Sequence, residues 1–103
     1  MTLFEILNNG LDIPCAYSHF KGDDVPAEPP YLVYIGNGQS RFEADNSYYW
    51  KKNRYQIEYY FSLKDEELEE AIEQLLLDNG LLYDKSEDIY IEEQGVFVIY
   101  YYV

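Results

Sequence analysis

Positions 54–61 alternate Tyr55, Ile57, Tyr59 and Phe61 with Arg54, Gln56, Glu58 and Tyr60. A period of two marks a strand with one buried face. The period then changes. Leu68, Ala71, Ile72, Leu75 and Leu76 recur at helical spacing and form one apolar stripe. Ser62 is placed to cap this helix, with Asp65 three residues on as the acidic half of a capping box. Asn79-Gly80 supplies a left-handed stop, so the pattern predicts a main amphipathic helix over about 62–79. Its apolar stripe is expected to cover one face of the sheet that contains the 54–61 strand.

The remaining pattern fills in that sheet. Thr2 with Glu5 predicts a capped first helix over 2–9, with Leu3, Phe4, Ile6 and Leu7 as its apolar side and Asn9-Gly10 as its end. A short strand is expected over 15–20. Positions 21–30 (KGDDVPAEPP) read as a loop long enough to serve as a contact arm. Positions 31–35 are apolar on both faces, an interior strand or one covered by another subunit. Gly36-Asn37-Gly38 is expected to break that strand, leaving 40–44 as an edge strand with a turn at Asp45-Asn46. Lys51-Lys52-Asn53 reads as a turn into the 54–61 strand. After the main helix come 81–84 and a strand over 88–92; Gln94-Gly95 then makes a hairpin into 96–103. The elements predict a single α+β domain spanning 1–103, with a mixed, mostly antiparallel sheet under two helices.

The last strand, Val96 through Val103, leaves neither face polar. A single helix-covered sheet buries only one of them fully. Either this is a central strand whose tyrosine hydroxyls reach water, or its second face is buried between subunits. Thirteen tyrosines favour the second reading, because tyrosine is enriched at interface cores.

Charge sharpens the picture. Acids outnumber bases 20 to 7, for a net charge of −13. Nucleic-acid binding needs a basic footprint, so it is disfavoured. The aromatic content excludes a disordered acidic tail. Asp65, Glu66, Glu67, Glu69, Glu70 and Glu73 are assigned to the outer side of the main helix, with Lys64 as its only base. Glu66/Glu70 and Glu69/Glu73 are like-charge pairs four apart, each costing about 0.2–0.5 kcal/mol. That face is either simply solvated or selected to meet a basic partner or repel a polyanion.

Catalytic chemistry is hard to find. Cys15 is the only cysteine and His19 the only histidine, so neither an intrachain disulfide nor a Cys/His metal site can be built. Asp23-Asp24 lacks the alternating oxygen ligands of a calcium loop, and Gly36-Asn37-Gly38 lacks the Lys-Ser/Thr of a phosphate loop. No catalytic, cofactor-binding or metal residues are assigned, and an enzyme is not expected. No basic leader and no apolar run of membrane-spanning length is readable, which suggests a protein made in a cytoplasm.

The order of motifs adds to this. Pro29-Pro30-Tyr31-Leu32-Val33-Tyr34, then Phe42-Glu43-Ala44-Asp45-Asn46, then Tyr55-Gln56-Ile57-Glu58-Tyr59-Tyr60 leading to Lys64-Asp65 and the Leu68/Ile72/Leu75 helix, then Tyr90-Ile91-Glu92-Glu93 and the aromatic last strand resemble a family of small phage proteins. These are tail terminator (tail completion) proteins of long-tailed phages and prophages of Gram-positive bacteria. The resemblance implies a small α/β fold that assembles as a homo-hexameric ring. The ring would cap the tail tube, end polymerisation of the major tail tube protein and face the head-completion connector, with DNA passing through unbound. It also implies a place at the head–tail junction of the virion. No catalytic residues carry over.

In that setting Asp23, Asp24, Glu66, Glu67, Glu69, Glu70 and Glu73 are candidates for a channel lining or a surface for a basic partner, with repulsion reaching ~8 Å at physiological salt. Arg41, Lys51, Lys52 and Arg54, with Tyr100 and Tyr102, are candidates for the subunit interface. Competing readings are a head-closure ring and an acidic DNA mimic that inhibits nucleases.

Overall fold

The computed structural model describes residues 2–22, 26, 28–43 and 49–103, with side chains at 41–43, 49 and 50 left undescribed. Its elements run α1 (Leu3–Gly10), β1 (Cys15–Tyr17), β2 (Tyr31–Glu43), β3 (Tyr49–Phe61), α2 (Glu66–Asp78), β4 (Asp84–Lys85), β5 (Ile89–Ile91) and β6 (Val96–Tyr102). They form a small α+β domain with one mixed sheet. The strand order is β1-β2-β3-β6-β4, and β5 pairs with β6 as well. Only β1–β2 is parallel.

The period-two reading of 54–61 holds. Ile57, Tyr59 and Phe61 are buried, opposite Tyr101, Ile99 and Phe97 of β6. Leu7 of α1 and Ile72 and Leu76 of α2 close the same core, together with Leu32 and Val103. The helices therefore lie on one face only. They also meet each other closely. A Cβ on Gly10 would lie 2.6 Å from Leu75 Cδ1, so only glycine fits there without displacing that side chain.

Local signals placed most helix ends correctly. Thr2 and Glu5 form the reciprocal capping box of α1. In α1, Leu7 is fully buried, whereas Phe4 is 39% exposed. At α2 the cap differs from expectation. Asp65, not Ser62, is the N-cap, its Oδ1 accepting the Leu68 N–H at 3.1 Å. Ser62 lies one turn too early, because the chain must first leave β3. Asp65→Ala is expected to cost about 1 kcal/mol in urea unfolding and Ser62→Ala less than about 0.5 kcal/mol. Equal effects would contradict this assignment. At the other end, Asn79 caps the helix and Gly80 takes the left-handed conformation at φ 74°.

Three further expectations are corrected. β1 stops at Tyr17, not at position 20. Ser18 turns left-handed at φ 66° and His19 N–H donates to Tyr17 O at 2.7 Å. Gly36-Asn37-Gly38 does not end β2. The register shifts between Gly36 and Gln39, so the glycines absorb a bulge and the strand continues. Lys51-Lys52-Asn53 is not a turn but strand, paired with Arg41, Ser40 and Gln39. Residues 44–48, with the turn expected at Asp45-Asn46, lie outside the described residues.

The physical reason is shared. Beyond Tyr55, which exchanges hydrogen bonds with Val103, β2 and β3 have no third strand beside them among the described residues. With no core to face, their sequence carries no hydrophobic alternation. This two-stranded arm accompanies a Cα envelope of 52 × 29 × 27 Å, nearly twice as long as it is wide. The Gln94-Gly95 hairpin forms as read, with Gly95 at φ 66°.

Candidate interaction surfaces

The acidic side of α2 divides in two. Glu66, Glu67 and Glu70 are exposed, as expected. Glu69 and Glu73 are not on the outer face; Glu69 is 3% exposed and Glu73 half-buried, whereas Ala71 of the expected apolar stripe faces water. The helix is rotated so that 69, 72, 73 and 76 face inward. Two lysines outside α2 make this tolerable. Lys85 Nζ lies 3.0 Å from Glu69 Oε1 and 2.8 Å from Glu73 Oε2. Lys64 precedes the helix and donates to Glu69 Oε1 at 3.1 Å. It lies 2.8 Å from Oε2, out of line for a second bond, and 2.9 Å from Asp88 Oδ2. The Tyr101 and Tyr83 hydroxyls donate to Glu73 at 2.8 and 3.2 Å.

Burial pushes the Glu73 carboxyl up, but Lys85 and Tyr101 outweigh it and hold it below the usual carboxylate value. Burial likewise lowers the Lys85 ammonium, and Glu73 and Glu69 more than reverse this. The pair expected to repel thus shares a cation. This network latches α2 to β4 and β6. It removes Glu69 and Glu73 from the candidate channel surface, leaving Glu66, Glu67 and Glu70. Asp23 and Asp24 lie outside the described residues.

Among the described residues the second face of the sheet carries no helix. By register it holds Tyr31 and Val33 of β2, Gln56, Glu58 and Tyr60 of β3, and Val98, Tyr100 and Tyr102 of β6, with Val33 and Val98 buried among the larger side chains. This settles β6 as a central strand. Its inward residues Ile99 and Tyr101 are fully buried, while Tyr100 and Tyr102 stay half-exposed on the open face. The tyrosines are ordered against each other. Tyr31 stacks on Tyr60 at 5.1 Å, Phe20 meets Tyr31 edge-on at 5.5 Å, and Tyr100 stacks on Tyr102 at 6.2 Å. Glu58 sits among them, taking the Tyr60 hydroxyl at 2.6 Å and the Gln56 amide at 3.0 Å. Both donors are neutral, and no cation pairs with Glu58 among the described residues. Burial and the Glu58 carboxylate raise the Tyr60 phenol well above its ordinary value. A cleft bordered by Phe20, Tyr31, Glu58, Tyr60 and Gln94 opens here.

The arm is the third surface. Lys51 is exposed; Lys52 and Arg54 are half-buried, and among the described residues none of the three joins an ion pair. The side chain of Arg41 lies outside the description, though its backbone pairs with Lys51. Alternation along β3 places Arg54 on the open-face side, two residues beyond Gln56, which pairs with Tyr102. Of the candidate interface residues, Arg54, Tyr100 and Tyr102 therefore adjoin one surface, and Lys51 and Lys52 lie farther out on the arm. Glu58 was missed by sequence reasoning, because as the polar partner in an alternating strand it looks like any solvent-facing glutamate. The available signal was the Tyr59-Tyr60 pair beside it, together with the Tyr100-Tyr101-Tyr102 run that ends the chain's last strand.

No family model, curated protein or solved structure matches this chain. No helix among the described residues is long and apolar enough to cross a membrane. What defines the molecule is its architecture: a small α+β domain with one face covered, one face open and tyrosine-rich, and a projecting cationic arm.

Proposed function

We propose that this protein is a non-enzymatic assembly protein of a long-tailed phage. It forms a homo-oligomeric ring, hexameric in the tail terminator class, that caps the tail tube, ends polymerisation of the tube protein and joins the tail to the head-completion connector. Its place is the head–tail junction of the virion, after synthesis in the host cytoplasm. The observation that carries this reading is the pair of unlike surfaces, the open tyrosine face and the cationic arm. A ring needs two different patches per subunit that meet head to tail, and a monomeric inhibitor has no use for either. The exposed Glu66, Glu67 and Glu70 suit a surface that DNA passes without sticking or that a basic partner meets.

Antibody labelling of phage particles and headless tails by electron microscopy tests this. Label is expected at the head–tail junction and at the head-proximal end of free tails. Label on the necks of tailless heads instead would make it a head-closure ring. Abundant protein in infected cells with none on particles would overturn the assembly role in favour of an acidic inhibitor.

A further inference from the structure

We infer that the arm of one copy docks on the open tyrosine face of another, with the exposed Lys51 entering the cradle formed by Tyr31, Tyr60 and Glu58. This rests on the self-assembly proposed above and specifies which surface meets which.

Charge separates along the chain in a way that fits. Residues 36–54 hold four bases (Arg41, Lys51, Lys52, Arg54) and two acids (Glu43, Asp45), a net +2. The chain as a whole carries −13, so the remainder carries −15. The arm is therefore a cationic projection from a strongly anionic body. It is also a ribbon with no third strand beside it among the described residues, and a two-stranded ribbon by itself is only marginally stable. Docking a face of it supplies what the domain itself does not.

The open face has the opposite character. Glu58 is a partly buried carboxylate served, among the described residues, only by neutral donors, the Tyr60 hydroxyl and the Gln56 amide. Stacked tyrosine rings beside it offer π faces, which attract ammonium and guanidinium groups. A cation entering there gains a charge-assisted bond and an aromatic contact together. The same copy does not supply the cation. Among the described residues none pairs with Glu58, and Lys51, seven residues away along the same strand, lies roughly 23 Å off, beyond ion-pair reach. A second copy has the needed cation on a projecting element. Because donor and acceptor patches differ, each docked pair leaves one arm and one face free, the condition for adding the next copy.

The test uses the full chain in light scattering and sedimentation, with charge reversals on each side. Wild type is expected to self-associate, less so as salt rises. Lys51→Glu, and separately Glu58→Lys, should each weaken association roughly ten-fold or more. Mixing the two variants should restore it, since the reversed arm of one fits the reversed face of the other. Glu58→Gln keeps the size of the side chain and should weaken association in the same direction; circular dichroism confirms that each variant is folded. Variants that associate like wild type would overturn this docking while leaving self-assembly standing. Loss in both variants without recovery on mixing would overturn it too. So would a chain that stays monomeric at every concentration, in which case the assembly role stands or falls on the labelling experiment alone. Salt-sensitive binding of duplex DNA that the arm reversal abolishes would assign the arm to a polyanion instead.

Discussion

Lys85→Met is expected to lower the unfolding free energy by about 2 kcal/mol in urea titration at neutral pH. The substitution keeps most of the aliphatic stem that lies along the Tyr101 ring, where Nζ sits 5.9 Å from the ring centre, and removes only the charge. Glu73 then has no cation, and Glu69, with a side chain 4% exposed, keeps only Lys64. Breaking a fully buried pair costs 3–5 kcal/mol; the smaller value here reflects a lysine side chain 34% exposed, whose charge water partly screens. The cause is a stranded carboxylate, not a lost attraction. Glu73→Gln introduced into the Lys85→Met protein should therefore recover part of the loss. Additive losses would show that the latch is not an electrostatic unit.

The same variant should change the acid limb of stability. The folded-state Glu73 carboxyl lies below its ordinary value of 4.5. Its contribution is then present above that value and lost as pH falls through the folded one. Lys85→Met removes the cation responsible, so its stability should fall less steeply below pH 4.5.

Alkaline unfolding should begin near pH 10 and be steep. Burial, with the charges of Glu69 and Asp65, pushes the Tyr59 phenol from 10.0 up to about 12. Burial raises Tyr101 further still, together with its bond to Glu73, and Tyr60 in the same way beside Glu58. An acid whose folded value is raised contributes stability that is full below the unfolded value and lost as pH climbs toward the folded one. For Tyr59 alone, two units amount to about 3 kcal/mol between pH 10 and 12. Lys64 and Lys85 act in the same direction, since their carboxylate partners raise them above 10.5. The tyrosinate absorbance should therefore rise in one cooperative step that coincides with loss of helix. Tyr59→Phe gives a sharper check. The Tyr59 hydroxyl is buried without a hydrogen-bond partner among the described residues. Its removal should cost little or nothing at pH 7 and move the alkaline midpoint upward. Independent, gradual titration of the tyrosines in a folded protein would refute this account.

Much of the framework was legible in residue order. The strand at 54–61, the Thr2/Glu5 box, the Asn79-Gly80 stop and the Gln94-Gly95 hairpin are all set by contacts within a few residues. Such signals survive without knowledge of the fold. The misreadings fall where local composition is ambiguous. Gly36–Gly38 and Lys51–Asn53 look like turns, yet each strand had the other as a partner, and pairing overrode propensity. The acidic stripe was misassigned for a related reason. A glutamate at helical position 69 reads as solvent-facing unless one knows that Lys64 and Lys85, 5 and 16 residues away, converge on it.

The sequence by itself determined the class of the fold, one face of the sheet, the net charge and the surplus of tyrosine beyond what one core can hold. Those properties follow from period and composition, which are local or additive. Only the tertiary structure decided that β6 is central, that Glu69 and Glu73 belong to a latch, that Glu58 lies among stacked tyrosines and that an arm projects beyond the sheet. Each depends on which distant segments pair, and register between strands far apart in the chain is written in no single stretch of it.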